Sequence, residues 1–124
     1  MKNKNLTLTS ILGALTIVLG AFGAHTLKEK LGVNEFQNFE TGVRYQMYHV
    51  IVLLIINMYS NFSAKTKNGV SALFFLGILF FSGSLYAISA GGVSPKNIWF
   101  ITPIGGLFFI LGWIKLSISF LKMK

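Results

Sequence analysis

Charge is missing from four long stretches of this 124-residue chain: Leu6 to His25, Tyr45 to Ala64, Asn68 to Pro95 and Asn97 to Ile114 hold no Asp, Glu, Lys or Arg. Only 11% of the residues are charged, where soluble domains carry roughly 25%; this argues against a soluble core. Cysteine is absent, which excludes disulfides, thiol nucleophiles and thiolate metal sites together. Acidic residues are scarce: Glu29, Glu35 and Glu40 all fall between the first and second stretches. There is no Gly-rich phosphate loop ahead of a helix, no internal repeat and no low-complexity linker.

What is present is apolar length. A helix of about 20 apolar residues matches a hydrocarbon core of about 30 Å at a 1.5 Å rise. The expected architecture is therefore all-α: a four-transmembrane-helix bundle forming one integral membrane domain over residues 1–124. The spans are expected near 6–24, 42–61, 70–90 and 102–121, with a short interfacial amphipathic helix between the first two that turns into, or continues as, the second span. A cleaved signal peptide is the alternative for the first span, with Lys2 and Lys4 leading and Ala21-Phe22-Gly23 as a cleavage site. Three further spans favour its retention.

Local signals mark the ends. Asn34 and Gln37 have the spacing of a capping box, and Phe36, Phe39 and Val43 share one side of the helix that follows. Ser63 to Asn68 reads as a link, Gly91-Gly92 as a left-handed helix cap, and Thr102-Pro103 as an N-cap and first helical residue, with a short helical lead-in over Trp99 to Ile101 as the alternative start.

The net charge of +8 does not read as a nucleic-acid partner, because the basic residues sit at the ends of apolar runs. It reads as topology and attraction to anionic headgroups. Lys2, Lys4, Lys65, Lys67, Lys122 and Lys124 share one side, with Lys115 snorkelling towards it. Lys28, Lys30, Arg44 and Lys96 lie on the other, diluted by the glutamates. Both termini are expected in the cytoplasm. Tyr59, Phe62 and Trp113 fit an inner aromatic belt, Trp99 and Tyr45 an outer one.

Two groups of residues stand out. The first is small: Gly13, Ala14, Gly20, Ala21 and Ala24 in the first span, and Gly105, Gly106 and Gly112 in the fourth. Small faces let backbones approach where apolar contact brings no hydrophobic gain. They serve packing within the chain or a homo-oligomer interface. The second is polar: His25, Glu40, Arg44, Tyr45, Tyr48 and His49, with Tyr86, Ser89 and Thr102 at similar depth. Glu40 and Arg44 have the spacing of an ion pair. His49 lies inside an apolar run, where ionisable residues face the protein interior or a cavity. His25 and His49 are expected to approach in one outer-leaflet pocket.

That polar group supports several readings. It could be a hydrogen-bond network fixing how the helices pack, a pocket for a lipid headgroup or quinone, a two-histidine haem or metal site, or a proton or solute path. No nucleophile elbow accompanies it, so no catalytic residue, metal or cofactor is assigned.

Gly20-Ala21-Phe22-Gly23-Ala24-His25 resembles the opening motif of a family of small bacterial inner-membrane proteins, domain-of-unknown-function family 423, the YgdD-like proteins. Phe39 to His49 is similar to its second motif. Phe81-Ser82-Gly83-Ser84-Leu85-Tyr86, and Thr102 to Gly106 with Gly112-Trp113, are similar to the third and fourth. The resemblance covers nearly the full chain and implies four transmembrane helices in the bacterial plasma membrane. It implies no activity. The expected function is a non-enzymatic structural or accessory subunit of a membrane assembly, alone as a homo-oligomer or in a larger complex; the alternative is a lipid or quinone binder, and less so a small transporter or haem protein.

Overall fold

The computed structural model describes residues 3–123; Lys2 and Lys124, counted above for topology, lie outside the described residues. Four long helices run antiparallel in sequence: α1 (Lys4–Lys30), α2 (Val33–Met58), α3 (Ala64–Ser89) and, after the single turn α4 (Pro95–Ile98), α5 (Ile101–Lys122). No strand occurs among the described residues. Helix α1 packs on α2, α2 on α3, and α3 on α5.

Three of these helices, α1, α3 and α5, are long and apolar enough to cross a membrane. Helix α2 has the length, at 26 residues, but not the uniform apolarity. Arg44, Gln46, His49 and Asn57 dilute it. Gln46 and His49 are nonetheless 3% and 5% exposed, so much of that polarity points into the protein. The buried face of α2 recurs every three or four residues: Phe39, Gly42, Gln46, His49, Leu53 and Ile56.

The helix ends differ from the sequence expectation in four places. Helix α1 overshoots its expected end at residue 24 by six residues, passing through one wider π turn over Gly23–Leu27. No separate interfacial helix follows, because Val33–Met58 is continuous. Its N-cap is Gly32 rather than Asn34, and the Glu35 carboxylate folds into the space that a Cβ on residue 32 would fill. Helix α3 starts at Ala64, not near Val70, because Ser63 Oγ accepts from the Thr66 N–H at 3.1 Å and caps it. Helix α5 begins at Ile101, which places Pro103 in its first turn, where its missing N–H costs nothing. The end of α3 matches its glycines: Gly92 has φ +74°, and the Val93 N–H reaches back to Ala87 O at 3.1 Å.

Close approaches set the registers. Residue numbers facing one another across α3 and α5 sum to 186: Gly77 with Phe109, Gly105 with Phe81 and Gly112 with Phe74. Across α1 and α2, Gly13 meets Val50 and Gly20 meets Val43.

Candidate functional site

The interior is joined by uncharged polar side chains. Gln46 is the hub. Its Nε2 donates to Thr16 Oγ1 at 2.8 Å and to Leu12 O at 3.2 Å, and its Oε1 accepts from Tyr86 OH at 2.6 Å. One amide thus ties α1, α2 and α3 together near the middle of the apolar length of α1. One turn away, Ser82 Oγ donates to Gly42 O at 2.7 Å. Gly42 is required there, because a Cβ would lie 2.8 Å from the Tyr86 ring.

His49 faces the other way, towards α3 and α5. Its ring stacks on Phe109 with centroids 3.7 Å apart and meets Phe74 edge-on at 5.1 Å. Nδ1 lies 2.7 Å from Tyr45 O, and Trp113 Nε1 donates to Nε2 at 3.1 Å. A carbonyl only accepts and an indole N–H only donates, so the bonding assigns the neutral Nδ1–H tautomer. Both ring nitrogens are engaged by protein partners. Trp113, expected in the inner belt, instead turns its N–H inward.

The expected common pocket separates into parts. Glu40 and Arg44 line a cavity of about 110 Å³ between the end of α1 and the start of α2, bounded by Gly23 and Phe39. Drug-sized ligand sites run to roughly 300–1,000 Å³, so this one suits water. Arg44 Nη2 donates to Thr41 Oγ1 at 3.1 Å rather than pairing with Glu40, one turn earlier. Tyr45 and Tyr48 stack edge to face on the outside of α2. His25 is exposed. By the α1–α2 register it stands level with about residue 38, eleven residues from His49, or roughly 16 Å of helical rise. The structure therefore does not bring the two histidines into one site. Tyr86 joins Gln46 instead, and Thr102 pairs with Ser84.

The small residues also divide. Gly13 and Gly20 face α2; Gly105 and Gly112 admit the backbone of Phe81 and the ring of Phe74. Gly106 has only Phe81 near its Cβ position, at 3.9 Å. Ala14, Ala21 and Ala24 point outward.

Two features escaped the sequence reading. Gln46 carries no charge and sits in a charge-free run; its signal was the three-and-four spacing it shares with Phe39, Gly42 and Leu53. The second is an amide cluster at the opposite end from Glu40. Asn5 Nδ2 donates to Asn57 Oδ1 at 3.0 Å and to Asn68 Oδ1 at 2.8 Å, while Asn57 Nδ2 donates to Ser71 Oγ at 2.8 Å. Beside Gln46 and Tyr86, α1 and α3 stand apart and leave an apolar crevice of about 380 Å³, walled by Leu12, Leu15, Phe75 and Leu79.

Comparison with known proteins agrees with the architecture. Residues 19–106 match the family model described as "Protein of unknown function (DUF423)". The chain is 41% identical to the UPF0382 membrane protein of Haemophilus influenzae over 124 residues, covering all of this chain and 98% of that protein. It is 45% identical to a UPF0382 membrane protein of Staphylococcus haemolyticus, over 90% of this chain and 93% of the relative. Against the UPF0382 inner membrane protein YgdD of Escherichia coli it is 33% identical, over 96% of this chain and 90% of that one. No solved structure matches. With its apolar helices and this span of matched sequence, the chain belongs to the DUF423 family of bacterial membrane proteins.

Proposed function

We propose that this chain is a non-enzymatic accessory or structural component of the bacterial plasma membrane, holding its partners within the bilayer. The observation that carries this reading is the engagement of the interior polar groups. Gln46 uses donor and acceptor to join three helices, and His49 has both nitrogens bonded. These groups tie helices together rather than facing a substrate. Little of the described chain lies outside its helices, so contact area for a partner must come from helix faces; Ala14, Ala21 and Ala24 offer one on α1. A photoreactive residue at position 14 or 21, irradiated in native membranes, should give an adduct of defined mass with a second copy or another membrane protein. Absence of adducts at both positions, with turnover of a small substrate by the purified protein, sinks the reading.

Four crossings with both termini in the cytoplasm complete it. The inward direction of Gln46 and His49, with Ile51 and Ile55 exposed on α2, supports α2 as the fourth span. The lysines at the Lys65 and Lys122 end support the orientation. The chain has no native cysteine, so single cysteines report cleanly. Ser94→Cys should be labelled in intact cells by an impermeant maleimide, and Ser63→Cys only after permeabilisation; the reverse pattern inverts the topology.

The second reading is a lipid or quinone in the α1–α3 crevice. Its support is the apolar wall, long enough for an acyl or isoprenoid chain, with the Tyr86 hydroxyl at one end still able to accept a hydrogen bond. A Cβ on Gly83 meets nothing within 4 Å, so Gly83→Leu should fill the crevice without harming the fold. Native mass spectrometry should then show loss of a bound quinone or lipid; equal retention by both proteins removes this reading.

A further inference from the structure

We infer that a second groove, between α3 and α5, is a binding site for one anionic glycerophospholipid, with its phosphate held by Lys65, Lys115 and Lys122. The groove has a volume of about 710 Å³ and lies where the start of α3 meets the end of α5. Its lysine end is remote from the Arg44 mouth, and its α3 wall ends at Leu73, short of the α1–α3 crevice that begins at Phe75.

The lysines converge for reasons visible in the helix register. Facing residues of α3 and α5 sum to 186, so Lys122 stands level with Ala64, beside Lys65. By the same register Lys115 should stand level with Ser71. Its stem instead leans to Gly69, where a Cβ would lie 2.5 Å from Cε. That lean is about two residues, roughly 3 Å of rise, towards the other two lysines. Gly69 leaves the path open. The stem covers apolar surface while the ammonium reaches the polar zone.

No acidic side chain can neutralise these three. The sequence has only Glu29, Glu35 and Glu40, and all three sit at the far end, in the last turn of α1 and the first half of α2. The three exposed ammonium groups are therefore open to an external anion. Thr66 adds a hydroxyl donor beside them, while the Ser119 hydroxyl already donates to Lys115 O at 2.8 Å. Below the lysines the groove wall turns apolar: Leu111, Ile114 and Ile118 are 42%, 49% and 44% exposed along one side. Cationic head, hydroxyl donor and apolar shaft match a phosphodiester on two acyl chains, and basic pockets between transmembrane helices recognise such headgroups. The leaflet concerned follows from the orientation proposed above; the binding itself does not depend on it.

The test is native mass spectrometry of the full chain in mild detergent, with dioleoylphosphatidylglycerol and dioleoylphosphatidylcholine at equal concentration. One phosphatidylglycerol should be retained in preference to phosphatidylcholine. Lys115→Gln should cut that preference about fivefold, Lys65→Gln with Lys122→Gln should abolish it, and Lys115→Arg should keep it. Lys30→Gln, at the opposite end, should change nothing. Far-UV circular dichroism checks that each variant keeps its helices, and Lys115→Arg covers the case in which Lys115→Gln does not. Equal retention of the two lipids overturns the proposal. So does an equal loss in Lys30→Gln, or binding of inorganic phosphate alone without preference between the lipids.

Discussion

Trp113 Nε1 donates to His49 Nε2 across 3.1 Å, joining α5 to α2 through a ring already stacked on Phe109. Removing the donor by Trp113→Phe leaves a buried nitrogen unpaired, at a cost of about 1–3 kcal/mol. His49→Leu with Trp113→Phe should cost less than the sum of the single changes. Thermal unfolding of the four proteins in detergent measures the coupling; strict additivity would show that the bond contributes nothing.

The Gln46 hub should respond in graded fashion. Tyr86→Phe removes one bond and should cost about 0.6 kcal/mol, the average for an interhelical hydrogen bond in a membrane, and no more than about 2. Gln46→Leu removes all three and should cost more. Equal stability of the two variants would sink the account of Gln46 as the common partner.

Two threonines on α1 should behave oppositely. Thr16 is bonded to Gln46, but Thr9, fully buried, carries the one buried side-chain oxygen that lacks a partner among the described residues. A buried hydroxyl without a partner carries a desolvation cost. Thr9→Val should therefore raise stability by about 1 kcal/mol, while Thr16→Val should lower it. Detergent melting curves of the two variants give the signs directly.

Adjacent glycines on α5 offer another contrast. A Cβ on residue 105 would collide with the Phe81 backbone, which cannot rotate away; on residue 106 the nearest atom is 3.9 Å off. Gly105→Ala should cost about 1–3 kcal/mol or more through overpacking, and Gly106→Ala should be near neutral. Expression level and melting temperature in parallel would expose a reversal.

Much of the secondary structure was legible because charge and apolar length obey simple limits. Gly92 ends α3 because only glycine takes its positive φ without strain. By composition Ser63 belongs to a link, yet its hydroxyl starts α3 nearly two turns early. The site was less legible. Reading by charge drew attention to His25, Arg44 and Glu40, which lie at the mouth or outside. The uncharged amides of Gln46, Asn57 and Asn5 form most of the interior side-chain bonds that join one helix to another. Glu40 and Arg44 have ion-pair spacing, but spacing does not choose a partner, and Thr41 takes the guanidinium.

By itself, the sequence determined that this is a helical membrane protein, where its apolar runs lie, and which end is rich in lysine. Those properties follow from length, hydropathy and charge, which sum along the chain. Only the tertiary structure decided which faces meet. Helices α1, α3 and α5 are apolar on every side, so no amphipathic stripe marks their buried face, and no hydrophobic gain separates lipid contact from helix contact. Packing of Gly105 on Phe81, the reach of Gln46 to Thr16 and Tyr86, and the lean of Lys115 past Gly69 made that choice. They separated the absent charges of the four runs from the few lysines that converge.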